Sequence, residues 1–148
     1  MMDFDTTVKL HIYSVIAETT QAPTSHEVAQ SLNRPVEEVE EAFLRLYRKR
    51  LLVLEPGDAS KIRMAPPFSG VQTPFLVKVR EKTYYANCVW DALGIPAALH
   101  GDGDVISSDA QTGEPISLQV RGGAAVPQQC VIHFAVPAAR WWEDIIYT

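Results

Sequence analysis

Apolar positions in the first third of the chain recur every three or four residues, which is the period of an amphipathic helix. Thr24 and Glu27 form the pattern of a capping box, so a helix is expected to begin between them. Pro35 precedes a third apolar stripe and is suited to the start of a helix. The predicted helices cover residues 4–17, 25–32 and about 36–49.

A β-hairpin is predicted next, because the apolar runs 51–54 and 61–64 flank a Pro-Gly turn at residues 55–58. Three helices and a hairpin are the pattern of a winged helix-turn-helix, whose third helix usually enters the major groove of DNA. Here the third helix begins with four glutamates, which would repel phosphate. We therefore expect residues 1–66 to be a winged-helix-like packing or dimerisation region, with DNA an unlikely partner.

A Pro-rich connection at residues 65–70 is expected to lead into a second region, residues 67–148. There a short helix is predicted to start at Cys88, capped by Asn87, and to end at Gly94 because Pro96 prevents its continuation. An amphipathic helix is predicted over residues 137–148. The predicted strands cover residues 75–79, 82–86, 104–108, 116–120 and 130–136. The expected fold is α+β: the three-helix region packed on a small mixed or antiparallel sheet with short helices.

Composition narrows the class of protein. The chain has 148 residues, 47% of them apolar, and a net charge of −5, which suits one soluble domain or two small ones. It has no apolar run long enough to span a membrane, and its acidic N-terminus lacks the features of a signal peptide. We therefore expect a cytoplasmic protein without a membrane partner, whose two cysteines are free thiols.

Cys88 and Asp91 are the strongest candidates for chemistry, because residues three apart on a helix share a face. The backbone N–H groups of a helix start should lower the pKa of the Cys88 thiol, which suits a nucleophile or a soft-metal ligand. If Trp90, Leu93 and Tyr85 shield Asp91 from water, its carboxyl group would hold a proton near neutral pH. The alternative is that Cys88 is a small buried hydrophobic residue without a chemical role.

Other candidate ligands are less well arranged. Cys130 and His133 are three apart on a predicted strand and should face opposite sides of the sheet, so they are not expected to bind one metal. His100, Asp102 and Asp104 lie in a Gly-rich segment without a recognised calcium-loop pattern. A solvated loop is the preferred interpretation there.

Three segments together resemble the core signature of the organomercurial (alkylmercury) lyase family, MerB. They are residues 85–99 (YANCVWDALGIPAAL), 105–108 (VISS) and 112–118 (TGEPISL). The resemblance is ordered and nearly full length, and it includes the N-terminal region, which that family does not use to read DNA.

The resemblance implies cleavage of a carbon–mercury bond by protonation. In that family two cysteine thiolates take the mercury, and a carboxylic acid near the first cysteine orients the substrate and moves a proton to the departing carbon. Cys88 matches the first cysteine and Asp91 the acid. The implied partners are an organomercurial, low-molecular-weight thiols and a mercuric reductase that accepts the mercuric ion. Mercury is substrate and product, and no resident cofactor is implied.

The family's second cysteine would lie just after an aromatic residue that matches Tyr147, and the sequence given ends at Thr148. A chain cut short at its active site is the preferred interpretation. The alternatives are a natural short relative with one matching thiol, or a Cys130 that reaches the site as a second mercury ligand. We expect capture of an organomercurial, with slow or absent cleavage unless an external thiol substitutes. The rival function is a non-catalytic winged-helix regulator or soft-metal sensor on the same fold.

Overall fold

The computed structural model describes residues 1–147, which form an α+β fold of helices and two antiparallel sheets. The helices are α1 (Phe4–Thr19), α2 (Ser25–Leu32), α3 (Val36–Arg48), α4 (Val89–Ala98) and a 3₁₀ helix (Ala138–Glu143). The strands are β1 (Val53–Glu55), β2 (Asp58–Ala65), β3 (Phe68–Ser69), β4 (Leu76–Val79), β5 (Lys82–Tyr85), β6 (Gly103–Ser108), β7 (Pro115–Arg121) and β8 (Ala124–Ala125). Within these residues no helix has the length and apolar character needed to cross a membrane.

The three N-terminal helices and the hairpin β1–β2 confirm the predictions for residues 1–66 at the level of individual elements. The capping box is formed, with the Glu27 N–H donating to Thr24 Oγ1 at 3.3 Å and the Thr24 N–H donating to Glu27 Oε2 at 2.7 Å. The apolar stripes meet in one core in which Ile12 and Phe43 are fully buried. The winged-helix interpretation of this region stays a prediction.

The Pro-rich connection at residues 65–70 is more ordered than the sequence suggested, because it contains β3. In the first sheet, of order β1-β2-β3, Phe68 pairs with Ala65 of β2, and it also forms an isolated bridge with Ala86 next to β5. Its ring packs between Tyr13 and Tyr84, with centroids 6.2 and 5.5 Å away. The connection therefore joins the two sheets through a buried aromatic cluster.

The second sheet has the order β5-β4-β6-β7-β8, with every pair antiparallel. Its central register places Val77 of β4 beside Val105 of β6, and Val105 beside Leu118 of β7. These three side chains are buried, as expected for strands with one face against a core. The four strands predicted between residues 75 and 120 are thus confirmed.

The predicted end of the short helix is wrong, because α4 continues through Gly94 and Pro96 to Ala98. The helix ends instead in a Schellman motif at His100, whose φ is +51°, with the Gly101 N–H donating to the Pro96 carbonyl at 3.0 Å. Pro96 is fully buried and lies against Gly103, which has no side chain to obstruct it. Tertiary packing therefore outweighs the loss of the proline's hydrogen bond.

The C-terminal predictions are also wrong. Residues 130–136 form no strand, and between 137 and 147 the regular structure is the 3₁₀ helix. No neighbouring backbone pairs with residues 130–136 in the described part of the chain, so this apolar run joins no sheet, and Val131 is 92% exposed. Trp141 anchors the segment locally by donating from Nε1 to the Val136 carbonyl at 2.8 Å. Thr148, the last residue of the predicted helix, lies outside the described residues.

Candidate active site

Cys88 and Asp91 line the same cavity, as their helical spacing predicted. Cys88 is the N-cap residue of α4, with extended backbone angles of φ −154° and ψ 179°, and Asp91 lies in the first turn. The chain reaches this point directly from β5, so the second sheet fixes where the helix starts. The cavity has a volume of about 600 Å³, enough for a small organic molecule.

Most of the cavity wall is apolar and comes from three distant parts of the sequence. The C-terminal segment supplies more of it than any other. The apolar and aromatic residues of the wall are Met64, Pro66, Phe75, Val89, Trp90, Phe134, Ala135, Trp141, Trp142, Ile145, Ile146 and Tyr147. The residues that fail to form the predicted C-terminal strand and helix therefore still contribute to the site.

Burial raises the pKa of the Asp91 carboxyl group above its ordinary value, in the direction that the sequence analysis required. The side-chain amide of Asn87 donates to Asp91 Oδ2 at 2.9 Å and opposes part of that rise. Trp90 does not provide the shielding, because it is 63% exposed. Nearby, burial and the charge of Asp91 raise the pKa of Tyr13 to about 12, and its hydroxyl donates to the Pro66 carbonyl at 2.7 Å.

The sequence predicted a lowered pKa for the Cys88 thiol, and this prediction is wrong, because burial raises that pKa above its ordinary value. The backbone N–H groups of Asp91 and Trp90 lower the pKa, as a helix start should, but the negative charge of Asp91 raises it again. The two side chains therefore disfavour being ionised together. Protonation of Asp91 therefore makes ionisation of the Cys88 thiol less unfavourable.

Cys130 is exposed and does not line the cavity, whereas His133 does. Both cysteines are free thiols, as predicted. Among the described residues, no three His, Cys, Asp or Glu side chains come together as a possible metal site. The structure thus brings Cys88, Asp91 and His133 to one cavity and leaves Cys130 outside it.

The segment with His100, Asp102 and Asp104 uses its polar groups in the fold. Asp102 Oδ1 accepts from the Gly122 N–H at 2.9 Å, and Asp104 Oδ1 pairs with Arg121 at 2.5 Å. His100 occupies the left-handed position at the end of α4. These contacts are structural ones, and the interpretation as a solvated loop is wrong for Asp104, which lies in β6.

Asn87 and Arg50 were not identified as site residues from the sequence. Asn87 was expected to cap α4, but Cys88 is the cap residue, and the Asn87 amide holds Asp91 instead. Arg50 lines the cavity with its guanidinium carbon 5.8 Å from the centroid of the Trp142 ring. Asn87 is adjacent in sequence to Cys88, whereas no local signal marked Arg50.

A family model with the description "MerB: Alkylmercury lyase" matches residues 68–148, more than half of the chain, and that range includes Cys88 and Asp91. No curated protein matches the chain.

One solved structure, described as the mercury-bound form of MerB2, has a similar fold. It matches with a TM-score of 0.66 at 24% sequence identity, over 87% of this chain and 61% of that chain. At that identity the likeness is one of fold, and this chain spans about three fifths of the length of that relative.

Proposed function

We propose, since this chain belongs to the alkylmercury lyase family, that it captures an organomercurial at Cys88 and breaks the carbon–mercury bond with a proton from Asp91. The observation that carries the proposal is the position of a thiol and of a carboxyl group with a raised pKa at the start of α4, both lining one apolar cavity. Support also comes from the family match, which covers both residues.

Capture is a ligand exchange at mercury. The Cys88 sulfur bonds to the mercury of R–Hg–X, where R is the organic group, the bond from mercury to X breaks, and X leaves with the pair of electrons. Mercury is a soft metal and prefers thiolate sulfur, so this exchange is favourable. The apolar wall accommodates the organic group and keeps water from the mercury.

Cleavage needs a second sulfur, which we assign to an external low-molecular-weight thiol, because Cys130 does not line the cavity. The second thiolate bonds to mercury and increases the electron density on carbon. The carbon–mercury bond then breaks, its electron pair takes the proton of Asp91, and the hydrocarbon R–H leaves. Mercuric ion stays bound by two sulfurs, and the proton released by the incoming thiol restores the carboxyl group.

The coupling between the two groups is compatible with this sequence of steps. Ionisation of each group disfavours ionisation of the other, so protonation of Asp91 makes the Cys88 thiolate less unfavourable. The proposed steps use that state, with a thiolate for capture and a protonated acid for cleavage. Mercuric ion would then pass to other thiols or to a mercuric reductase. No resident cofactor is needed for any step.

The test is single-turnover release of benzene from phenylmercury with excess 2-mercaptoethanol. Release should require both groups, so Cys88→Ser and Asp91→Ala should each abolish it. Cys130→Ser is the matched thiol control and should leave it unchanged. Release that survives Cys88→Ser, or that is lost in Cys130→Ser, would contradict the assignment.

A capture or sensing protein is the second candidate, and one observation favours it. Cys88 is the only cysteine that lines the cavity in the described residues, so this chain holds one sulfur at the site. In that case phenylmercury would bind tightly at Cys88 without benzene release at any thiol concentration. A winged-helix regulator would in addition show DNA retention that weakens with salt.

A further inference from the structure

Arg50 adopts a backbone conformation that normally selects glycine. Arg50 follows the end of α3 and has a φ of +60°. It completes a Schellman motif with two hydrogen bonds: the Arg50 N–H donates to the Tyr47 carbonyl at 2.9 Å, and the Leu51 N–H donates to the Leu46 carbonyl at 3.0 Å. A residue with a Cβ in this conformation is destabilised by about 1 kcal/mol relative to glycine. The chain therefore carries an arginine where helix geometry favours a residue with no side chain.

The Arg50 side chain extends to the cavity that contains Cys88. Its guanidinium carbon lies 5.8 Å from the centroid of the Trp142 ring, a cation–π arrangement that keeps the charged group at the cavity wall. Arg50 is exposed and Cys88 is partly buried, so of these two lining residues Arg50 is the one more open to solvent.

Arg50 forms no ion pair with a carboxylate of the described residues. The neighbouring cations Arg45 and Lys49 both pair with Asp5, at 2.8 and 3.0 Å. None of the ion pairs between described residues includes Arg50. A planar guanidinium can bind a carboxylate through two parallel hydrogen bonds, and the contact with the Trp142 ring restricts where that of Arg50 lies.

The other charged and titratable groups of the cavity do not compete for this role. Asp91 lies beside Cys88, where burial raises the pKa of its carboxyl group, and His133 and Tyr147 lie on the C-terminal wall. A ligand that fits is therefore apolar along most of its length and carries a carboxylate at its outer end.

We propose that Arg50 is a specificity-determining residue that selects ligands with a carboxylate at the mouth of the Cys88 cavity. The carboxylate belongs either to the organic group of an organomercurial or to the thiol that carries the mercury. The assignment to a mercurial rests on the proposed function, whereas recognition of the carboxylate does not require mercury chemistry.

Binding of benzoate and of its neutral analogue benzamide tests the recognition directly. Titration followed by tryptophan fluorescence should show that the unchanged protein binds benzoate about five- to tenfold more tightly than benzamide. Arg50→Gln should abolish the preference, and Arg48→Gln should keep it, because Arg48 is an exposed arginine of the same helix end that does not line the cavity. Equal binding of the two probes, or a preference that survives Arg50→Gln, would overturn the proposal.

Arg50→Gly separates the side chain from the fold. It removes the guanidinium and relieves the left-handed backbone, so it should lose the benzoate preference while the thermal unfolding temperature stays the same or rises. Loss of the preference together with a lowered unfolding temperature in both Arg50 variants would mean that Arg50 is structural, and would overturn the assignment.

The source of the carboxylate is identified by the rate at which Cys88 captures a mercurial. One comparison pairs 4-carboxyphenylmercury with phenylmercury, both with 2-mercaptoethanol, and the other pairs mercaptoacetate with 2-mercaptoethanol, both with phenylmercury. Arg50→Gln should slow capture several-fold for either 4-carboxyphenylmercury or mercaptoacetate. Slowing with 4-carboxyphenylmercury would place the carboxylate on the organic group, and slowing with mercaptoacetate would place it on the thiol. Equal slowing of charged and neutral members, or slowing of neither, would contradict the inference. Capture with this preference but without arene release would contradict only the cleavage step of the proposed function.

Discussion

The side-chain amide of Asn87 joins Asp91 to the first sheet: its nitrogen donates to Asp91 Oδ2 at 2.9 Å and to the Phe68 carbonyl at 3.2 Å. The carboxyl group is thus held by a residue that is itself held by β3. Donation to a carboxylate favours the charged form, whereas burial favours the protonated form. Burial is the larger effect, so the Asp91 pKa is raised, and Asn87 limits how far it rises.

Replacement of Asn87 by alanine should raise the pKa of Asp91 further, because the hydrogen bond that stabilises the carboxylate is removed. The proton on Asp91 would then persist to higher pH, and the alkaline limb of single-turnover arene release should move upward. The measurement is the pH profile of release, together with NMR titration of the carboxyl group. Thr73→Ala is the control, since it removes a hydrogen bond to the Ala86 carbonyl without touching Asp91. A limb that moves to lower pH would contradict the role given to Asn87.

Replacement of Asp91 by asparagine should lower the pKa of the Cys88 thiol, because the negative charge of Asp91 contributes to raising it. Alkylation of Cys88 by iodoacetamide near neutral pH should therefore become faster, while arene release is lost. The measurement is the alkylation rate as a function of pH. Glu81→Gln removes one negative charge at the exposed turn after β4 and should leave the profile unchanged. Slower alkylation in Asp91→Asn would exclude coupling between the two groups.

Features with local causes were predictable from the sequence. The first three helices follow from apolar spacing and from the Thr24–Glu27 capping box, and both depend on neighbours within a few residues. The meeting of Cys88 and Asp91 in one cavity also has a local cause, since residues three apart at a helix start lie on the same face.

Features with distant causes were not predictable in the same way. The continuation of α4 through Pro96 depends on the absence of a side chain at Gly103, on another element. The strand expected at residues 130–136 needed a partner strand, which the described residues do not supply. Arg50 reaches the site from a position 38 residues before Cys88, so only the fold brings the two together.

Asp5 should stabilise the fold in a pH-dependent way. It is 8% exposed and accepts hydrogen bonds from Arg45 Nε at 2.9 Å and from Lys49 Nζ at 3.0 Å, and the Arg45 contact is the main cause of its lowered pKa. A carboxyl group with a lower pKa in the folded state contributes stability above its unfolded pKa, near 3.8, and loses it as the pH falls through the folded pKa.

Asp5→Asn should therefore lower the free energy of unfolding by about 1–3 kcal/mol at pH 7. The difference from the unchanged protein should shrink as the pH falls below about 4. Urea unfolding at several pH values measures it. Glu37→Gln alters an exposed carboxylate outside the described ion pairs and should change the free energy by less than about 0.5 kcal/mol. A difference that grows toward acid pH would contradict the assigned sign.

Replacement by alanine should change the free energy of unfolding in opposite directions at Gly94 and at Gly103. Gly94 lies inside α4, and a Cβ there would come no closer than 3.8 Å to the Pro67 side chain. Alanine loses less backbone entropy than glycine in a helix, so Gly94→Ala should raise the free energy of unfolding by about 0.5–1 kcal/mol. Thermal and urea unfolding measure this. A lowered stability would contradict a helix that continues through residue 94.

Gly103→Ala should be destabilising and should also impair the site. A Cβ at Gly103 would lie 2.5 Å from Pro96 Cγ and 3.2 Å from the Lys78 carbonyl oxygen, so α4 and β6 would have to separate. Such overpacking costs about 1–3 kcal/mol, and the displaced helix carries Cys88 and Asp91. We expect a lower urea midpoint and slower arene release from the folded fraction, whereas Gly94→Ala should retain the release rate. Full stability and full activity in Gly103→Ala would mean that the contact with Pro96 does not position α4.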